Sequence, residues 1–215
     1  MGFDKLRAQL SGASVLSHSL RAVCGDPRVS MLVVVASEEN HAEWVETASG
    51  AAPQILRKVV LGGELRHQSV ANGLAAVGDG FDLIAVHDAA RPLLDPVDLT
   101  RVLDEAQRSG AATLCAPVTD TLKKADAEGR VSGSVPREGL WGMQTPQVFR
   151  SDLIRLAYQR VCETNAAVTD EVSAVEQLSH PVALVPAQNW NFKITFPQDL
   201  RLAELILRDR GVAVK

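Results

Sequence analysis

Four short runs of mainly β-branched apolar residues, separated by helical patterns, constrain this chain more than any other feature. VSMLVVVA (29–36), RKVVLG (57–62), DLIAVHD (82–88) and ATLCAPV (112–118) show no strict alternation of apolar and polar positions. Strands of that kind suit a parallel sheet covered on both faces. Around them apolar residues recur at helical spacing: Leu16, Leu20 and Val23; Val70, Leu74 and Val77; Leu99, Val102, Leu103 and Ala106; with Trp44 and Val45 in a charged stretch. Strand and helix alternate four times, which predicts βαβ units with right-handed crossovers and an α/β, doubly wound, mostly parallel sheet. A length of 215 residues is ample for an independent core.

After Val118 the pattern changes. TDTLKKADAEGRVSGSVP (119–136) reads as two short polar strands about the turn DAEG. It suits a protruding hairpin arm and, equally, a solvated surface loop. Helical spacing returns in SDLIRLAYQRV, through Leu153, Leu156, Ala157 and Arg160, and in DEVSAVEQL behind an Asp170 cap. PVALVP and WNFKIT read as strands, and Pro197 suits the first turn of a closing helix.

Composition removes several classes of function. Lys plus Arg number 22 against 26 Asp plus Glu, a net charge of -4, so nothing draws the whole molecule to nucleic acid or to an anionic membrane. Any phosphate binding must come from a local cluster. Aromatic residues are 4% of the chain, too few for base-stacking platforms. Cys24, Cys115 and Cys162 are odd in number and widely spaced, which suggests neither a disulfide framework nor a zinc site. The longest apolar stretch, 31–36, is far short of a membrane span, and the first residues lack a signal-peptide pattern. A cytoplasmic protein is expected.

The segment VHDAARP (86–92) carries the most chemistry, because an apolar strand ends in His87 and Asp88. Ligands of open α/β sheets bind at the carboxyl ends of strands. Asp88 can hold a divalent cation there and Arg91 offers a planar fork for phosphate; the same spacing also suits an Asp–Arg turn pair. In LGGELRHQSVANGL (61–74), Gly62 and Gly63 close a strand while Arg66 and Ser69 open a helix. Free amides at such a start favour anions or base edges, although Gly-Gly before a helix also serves simply as a turn. In NFKITFPQDL (191–200), Lys193 alternates with Phe192 and Ile194, which turns it either to a phosphate or to solvent. Thr145 and Thr169 read as hydroxyls ahead of helices, each a cap or turn residue.

Taken together, DK (4–5), GGELRHQS, VHDAARP, APVTDTLK, REGLWGMQTPQVF, TDE and NFKIT stand in an order that resembles the cytidylyltransferases of the isoprenoid pathway, those acting on 2-C-methyl-D-erythritol 4-phosphate above all. The resemblance runs over nearly the whole chain. It implies a nucleotidyltransferase fold in one domain over 1–215, a homodimer joined by the arm at 119–136, and a divalent cation, usually magnesium. The implied reaction moves CMP from CTP to the polyol phosphate and releases pyrophosphate. A ribitol 5-phosphate cytidylyltransferase shares most of these motifs and is the nearest alternative. A non-catalytic dimeric scaffold is the alternative from another class.

Carried over position by position, the resemblance puts Lys5 and Lys193 on the phosphates about the reacting phosphorus. It gives Asp88 a metal-binding and catalytic role. Asp88, Arg91, Thr145, Thr169 and Lys193 fall to the polyol phosphate, with Arg137 reaching in from the other subunit. Gly62, Gly63, Arg66, Ser69 and Ala89 fall to the nucleotide. One departure is large: the family has an apolar strand and a loop of the form AAGxGxRxG ahead of its lysine, where this sequence has only Met1-Gly2 before Phe3-Asp4-Lys5. The expectation is a sheet without that strand and weak binding of the triphosphate. Asp4 also stands where the family usually has proline.

Overall fold

A computed structural model describes residues 4–211; Met1–Phe3, on which the departure just noted partly rests, and 212–215 lie outside it. The chain opens with a short antiparallel pair, β1 (Gln9–Leu10) and β2 (Ala13–Ser14), followed by α1 (Val15–Val23), β3 (Met31–Ala36), α2 (His41–Ala51), β4 (Leu56–Leu61), α3 (Arg66–Val77), β5 (Leu83–Val86) and α4 (Pro96–Ser109). Then come β6 (Ala111–Pro117), β7 (Leu122–Ala125), β8 (Val131–Val135), β9 (Trp141–Arg150), α5 (Ser151–Thr164), α6 (Glu171–Glu176), β10 (Ala183–Pro186) and α7 (Pro197–Asp209).

Four strands form one sheet in the order β10-β6-β9-β5. β10 runs parallel to β6, whereas β9 lies antiparallel to both β6 and β5. β3 and β4 make a separate parallel pair, in register from Met31 opposite Leu56 to Ala36 opposite Leu61. Helices cover both faces. On one, Leu99, Val102, Leu103 and Ala106 of α4 pack on Ala112, Leu114 and Val148. On the other, Ile154, Ala157, Tyr158 and Val161 of α5 pack with Leu74, Ile84 and Phe149. Consecutive residues Val148 and Phe149 thus serve opposite cores, the period of two expected of a doubly covered strand.

The α/β class is as the alternation predicts, and three local readings change. Residues 141–150 are the longest strand, so Thr145 is a strand residue and not a cap. Pro146 hid this strand from the pattern, because proline removes a ladder donor. It sits where the pairing of β6 with β9 shifts between Thr113 and Cys115, a place that needs no regular ladder bond. The reading of WNFKIT as a strand fails: residues 190–195 join no ladder, and the Ile194 amide instead donates to the carbonyl of Ala90 at 2.8 Å. In α5 the buried face runs through Ile154, Ala157, Tyr158 and Val161, and Leu156 is 54% exposed. The hairpin reading of 119–136 holds, with β7 and β8 antiparallel to each other and Gly129 in the turn at φ +78°.

Between β3 and β5 lies a groove of about 700 Å³, walled by residues 29–35 on one side and 82–89 on the other. Leu16, Leu20 and Val23 of α1, and Val70, Gly73, Leu74 and Val77 of α3, complete its lining. Among the described residues β3 pairs only with β4, and β5 only with β9, so each turns an edge without a ladder partner to the groove. No strand among the described residues lies between them. Such edges leave backbone donors without ladder partners. Hydrogen–deuterium exchange should therefore find the groove-facing amides of β3 and β5 exchanging well before those of β6, which is paired on both sides. Equal protection on the two would show the groove edges to be satisfied.

Candidate active site

The turn that follows β5 is the hub of the site. The Arg91 amide donates to the carbonyl of Asp88 at 3.0 Å, which closes the turn, and Arg91 Nε donates to Asp88 Oδ2 at 3.2 Å. The Asp–Arg turn pair is thus real. It is also more than a turn, because Lys193 Nζ stands 3.2 Å from the same Oδ2. Burial works to raise the pKa of Asp88, but the charges of Lys193 and Arg91 outweigh it and hold the carboxyl below its ordinary value.

Each member of this group is fixed by its own segment. Ile194, fully buried among Leu10, Leu93 and Leu207, anchors the strand-like stretch, so Lys193 faces the opposite way. Arg91 Nη1 donates to the carbonyl of Asn191 at 2.8 Å, and Asn191 Nδ2 donates to the carbonyl of Thr145 at the same distance. The Asp88 amide donates to Thr145 Oγ1 at 2.9 Å. His87 stands behind, with Nδ1 3.1 Å from Thr145 Oγ1 and Nε2 3.1 Å from the carbonyl of Arg91. Burial, the largest influence on its imidazole, pushes the pKa down to about 4, so the ring is neutral at neutral pH. Further back, the buried Asp98 carboxylate of α4 accepts from the amides of Gln188 and Asn189, which pins the approach to Lys193.

The glycine turn after β4 stands at the other wall. The Gly62 amide donates to the carbonyl of Ala36 at 2.9 Å, and the Gly63 amide to Ser69 Oγ at 3.0 Å. A Cβ on Gly62 would come within 2.7 Å of Ser69 Oγ, and one on Gly63 within 2.4 Å of Gln68 Cβ. Both positions therefore need glycine for close approach. Arg66, the first residue of α3, forks onto the fully buried Glu171, with Nη1 to Oε1 at 2.8 Å and Nη2 to Oε2 at 3.1 Å. Burial opposes the Arg66 charge, and Glu171 more than offsets it, so the guanidinium pKa rises. Tyr158 donates to Glu171 Oε1 at 3.0 Å. Gln147 Oε1 accepts from the amides of Glu171 and Val172, and Asp170 caps α6 through the Ser173 amide at 2.9 Å. Thr169 sits exposed just ahead of that cap, at the head of the segment that Arg66 clamps.

Asp88, Arg91, Thr145 and Lys193 are thus brought together, and Arg66, Ser69, Asp88 and Ala89 all line the one groove. Lys5 lies in the turn before β1 and forms no ion pair among the described residues, while its neighbour Leu6 packs on the cluster of Leu16 and Leu20. Arg137 lies at the base of the hairpin, where its guanidinium donates to the carbonyl of Thr119. Sequence reasoning did not single out Gln147, Glu171 or Asn191 as site residues. Gln147 and Asn191 stand inside segments quoted for other residues, and only a buried polar residue's need for partners could have marked them.

Among the described residues no group of three or more His, Cys, Asp or Glu side chains is placed to hold a metal ion. One carboxylate still suits magnesium, which is commonly held by one or two carboxylates together with substrate phosphates. Asp88 is the carboxylate that stands on the groove, with Arg91 and Lys193 both at its Oδ2. The cations themselves are the chemical content of the place: a planar fork and an ammonium converge at the carboxyl end of a strand, where an anionic group can lie.

Fold and site together define an α/β protein with an arginine and a lysine gathered on one carboxylate just past the carboxyl end of β5. The family model of 2-C-methyl-D-erythritol 4-phosphate cytidylyltransferase matches residues 1–209. A cytidylyltransferase of that name from Dehalococcoides mccartyi is 41% identical over 207 residues, covering 96% of this chain and 89% of the relative. One from Nitrosomonas eutropha is 41% identical over 220 residues, covering 99% and 93%. The crystal structure of the Thermus thermophilus enzyme superposes with a TM-score of 0.78 at 36% identity, covering 95% of this chain and 93% of that one. The chain belongs to the 2-C-methyl-D-erythritol 4-phosphate cytidylyltransferase family.

The Asp88 environment makes a prediction with a definite sign. A carboxyl held below its ordinary pKa adds stability above the ordinary carboxylate range and loses it as pH falls through the lowered value. Lys193→Met removes the larger of the two opposing charges, so the Asp88 pKa should move upward and the acid-side loss of stability should begin at higher pH. Carbon-13 titration of the Asp88 carboxyl in both proteins reads the shift directly. An unchanged pKa would mean that Lys193 does not hold the carboxylate.

Proposed function

We propose that this chain transfers CMP from CTP to 2-C-methyl-D-erythritol 4-phosphate, forming the CDP-linked polyol of isoprenoid synthesis and releasing pyrophosphate. Family membership supports the reaction, and the observation that carries it is the Asp88 carboxylate held between Arg91 and Lys193 on the groove that Ser69 also lines. An oxygen of the polyol phosphate attacks the α-phosphorus of CTP. A new P–O bond forms, the bond to the bridging oxygen breaks, and pyrophosphate departs with that electron pair. Attacking and attacked groups are both anionic, so the protein's work is positioning and charge neutralisation, and no covalent nucleophile is needed.

In this reading Lys193, with Lys5, neutralises charge developing on the phosphates. Asp88, Arg91, Thr145, Thr169 and Lys193 form the polyol phosphate side, and Gly62, Gly63, Arg66, Ser69 and Ala89 the nucleotide side. Magnesium, held by Asp88 and the triphosphate, would supply further charge neutralisation when bound. Residues 1–215 act as one nucleotidyltransferase domain in a cytoplasmic homodimer. The arm, whose strands pair only with each other, joins two subunits and carries Arg137 to the partner's polyol phosphate. No helix among the described residues is long and apolar enough to cross a membrane, and the net charge of -4 gives nucleic acid no general attraction.

Pyrophosphate release from CTP, dependent on both methylerythritol phosphate and magnesium, tests the reaction. Lys193→Ala should lower turnover about a hundredfold, on the order of 3 kcal/mol for one preorganised charge. Turnover within twofold of the unaltered protein would remove Lys193 from the mechanism. Complete absence of release, with no heat on adding CTP and magnesium, would favour the non-catalytic scaffold.

Subunit exchange tests the arm. Arg137→Ala and Lys193→Ala proteins, each impaired alone, should regain activity on mixing, because a heterodimer restores one intact site from two damaged chains. No rescue after demonstrated exchange would place Arg137 in the site of its own chain or in none.

A further inference from the structure

The Thr145 hydroxyl has a single proton, and where it goes decides what His87 does. His87 Nε2 lies 3.1 Å from the carbonyl oxygen of Arg91, which can only accept, so the ring proton stands on Nε2. Nδ1 of the neutral ring is then an acceptor, 3.1 Å from Thr145 Oγ1, and takes the hydroxyl proton. The Asp88 amide donates to the same Oγ1 at 2.9 Å. Three bonds thus run in one sense, from the Asp88 amide through Thr145 and His87 to the carbonyl of Arg91. They tie both ends of the turn to each other and to β9. Phosphate oxygens accept hydrogen bonds, so in this arrangement Thr145 has no proton left to give to a substrate phosphate.

We propose that His87 is a positioning residue for cytidylyl transfer, acting through the Thr145 hydroxyl to fix the turn from which Asp88 and Arg91 meet the polyol phosphate. The inference rests on the cytidylyltransferase reading and deepens it: Thr145 serves the polyol side by holding the Asp88 backbone. Both ends of the chain of bonds matter, since His87 gives its own proton to the residue whose guanidinium meets Asp88 Oδ2. The nucleotide turn at Gly62 and Gly63 has its own supports in Ser69 and Ala36 and takes no part.

The test is a double-mutant cycle on His87→Ala and Thr145→Val, read as kcat and as separate KM values for CTP and for the polyol phosphate, with pyrophosphate release by the unaltered protein established first. A misplacement of about 1 Å costs on the order of a hundredfold, so each single change should lower kcat/KM for the polyol phosphate by about that factor and leave KM for CTP unmoved. The double variant should be no worse than the poorer single, because both changes break the same chain. Thr145→Ser, which keeps the hydroxyl, should stay within tenfold of the unaltered protein, and His87→Asn, whose Oδ1 can accept in place of Nδ1 but which has no donor for the Arg91 carbonyl, should fall between His87→Ala and the unaltered protein. Losses that multiply in the double variant would show Thr145 meeting substrate on its own account and would overturn the proposal. So would full activity of His87→Ala, or equal rises in both KM values with a lowered melting temperature. Should His87→Ala fail to fold, the comparison of Thr145→Val with Thr145→Ser and His87→Asn decides the same question. Failure of the unaltered protein to release pyrophosphate would strike the underlying reading and not this one.

Discussion

The site depends on one carboxylate kept ionised in a half-buried place. Asp88 would be pushed toward its neutral form by desolvation, and the two cations on Oδ2 reverse that. The arrangement joins three distant stretches of chain: the turn after β5, the 190–195 segment and, through the Asp88 amide, the middle of β9. Lys193 reaches Asp88 only because Ile194 is buried on the opposite side. Arg91 is held at both ends, its guanidinium on Asn191 and its amide on Asp88. A loss in any of the three stretches is therefore felt at the same oxygen atoms, which is the structural meaning of a preorganised charge.

The second wall works by a different principle. At Gly62 and Gly63 no side chain fits, and Ser69 satisfies the Gly63 amide, so that wall is defined by backbone shape more than by charge. Its charge stands one step back, where Arg66 is clamped to a carboxylate with no exposure of its own. Only the carboxylate end of this pair is buried, so removing Arg66 would leave the Glu171 charge buried without its cation. Tyr158 and Gln147 share the burden by filling the remaining positions around Glu171 and its amide. The pair thereby fixes the head of α3 against the segment carrying Thr169.

The layer structure was legible because its cause is local: unbroken apolar runs make covered strands wherever they fall, and Leu99, Val102, Leu103 and Ala106 bury the same face that their spacing marks. The turn at VHDAARP was legible for the same reason, since a strand end and an Asp–Arg pair lie within seven residues. What stayed hidden depends on contacts distant in sequence. β9 contains Pro146 and, in its first half, the polar or small residues Gly142, Gln144 and Thr145, and only the shifted pairing opposite Thr113 and Cys115 makes it a strand. The 190–195 stretch alternates like a strand but finds Ala90 in place of a ladder. The link of Lys193 to Asp88 spans nearly half the chain, and the resemblance to a family, not the spacing, brought those two residues together before the fold did.

The groove between β3 and β5 sets the two walls in relation to each other. Its lining runs from Arg28 and Asp82 to Ser69, Asp88 and Ala89, so it is bordered by the charged turn and by the hydroxyl that holds the glycine turn. An unpaired edge presents backbone donors and acceptors in a row, which is a costly surface unless water or another chain segment covers it. The helices α1 and α3 line the same space with Leu16, Leu20, Val70 and Leu74, so its sides are apolar while its edges are polar. The charged turn begins just past β5, at Asp88, and the glycine turn just past β4, at Gly62, so both walls are built at strand ends, one from charge and the other from backbone shape.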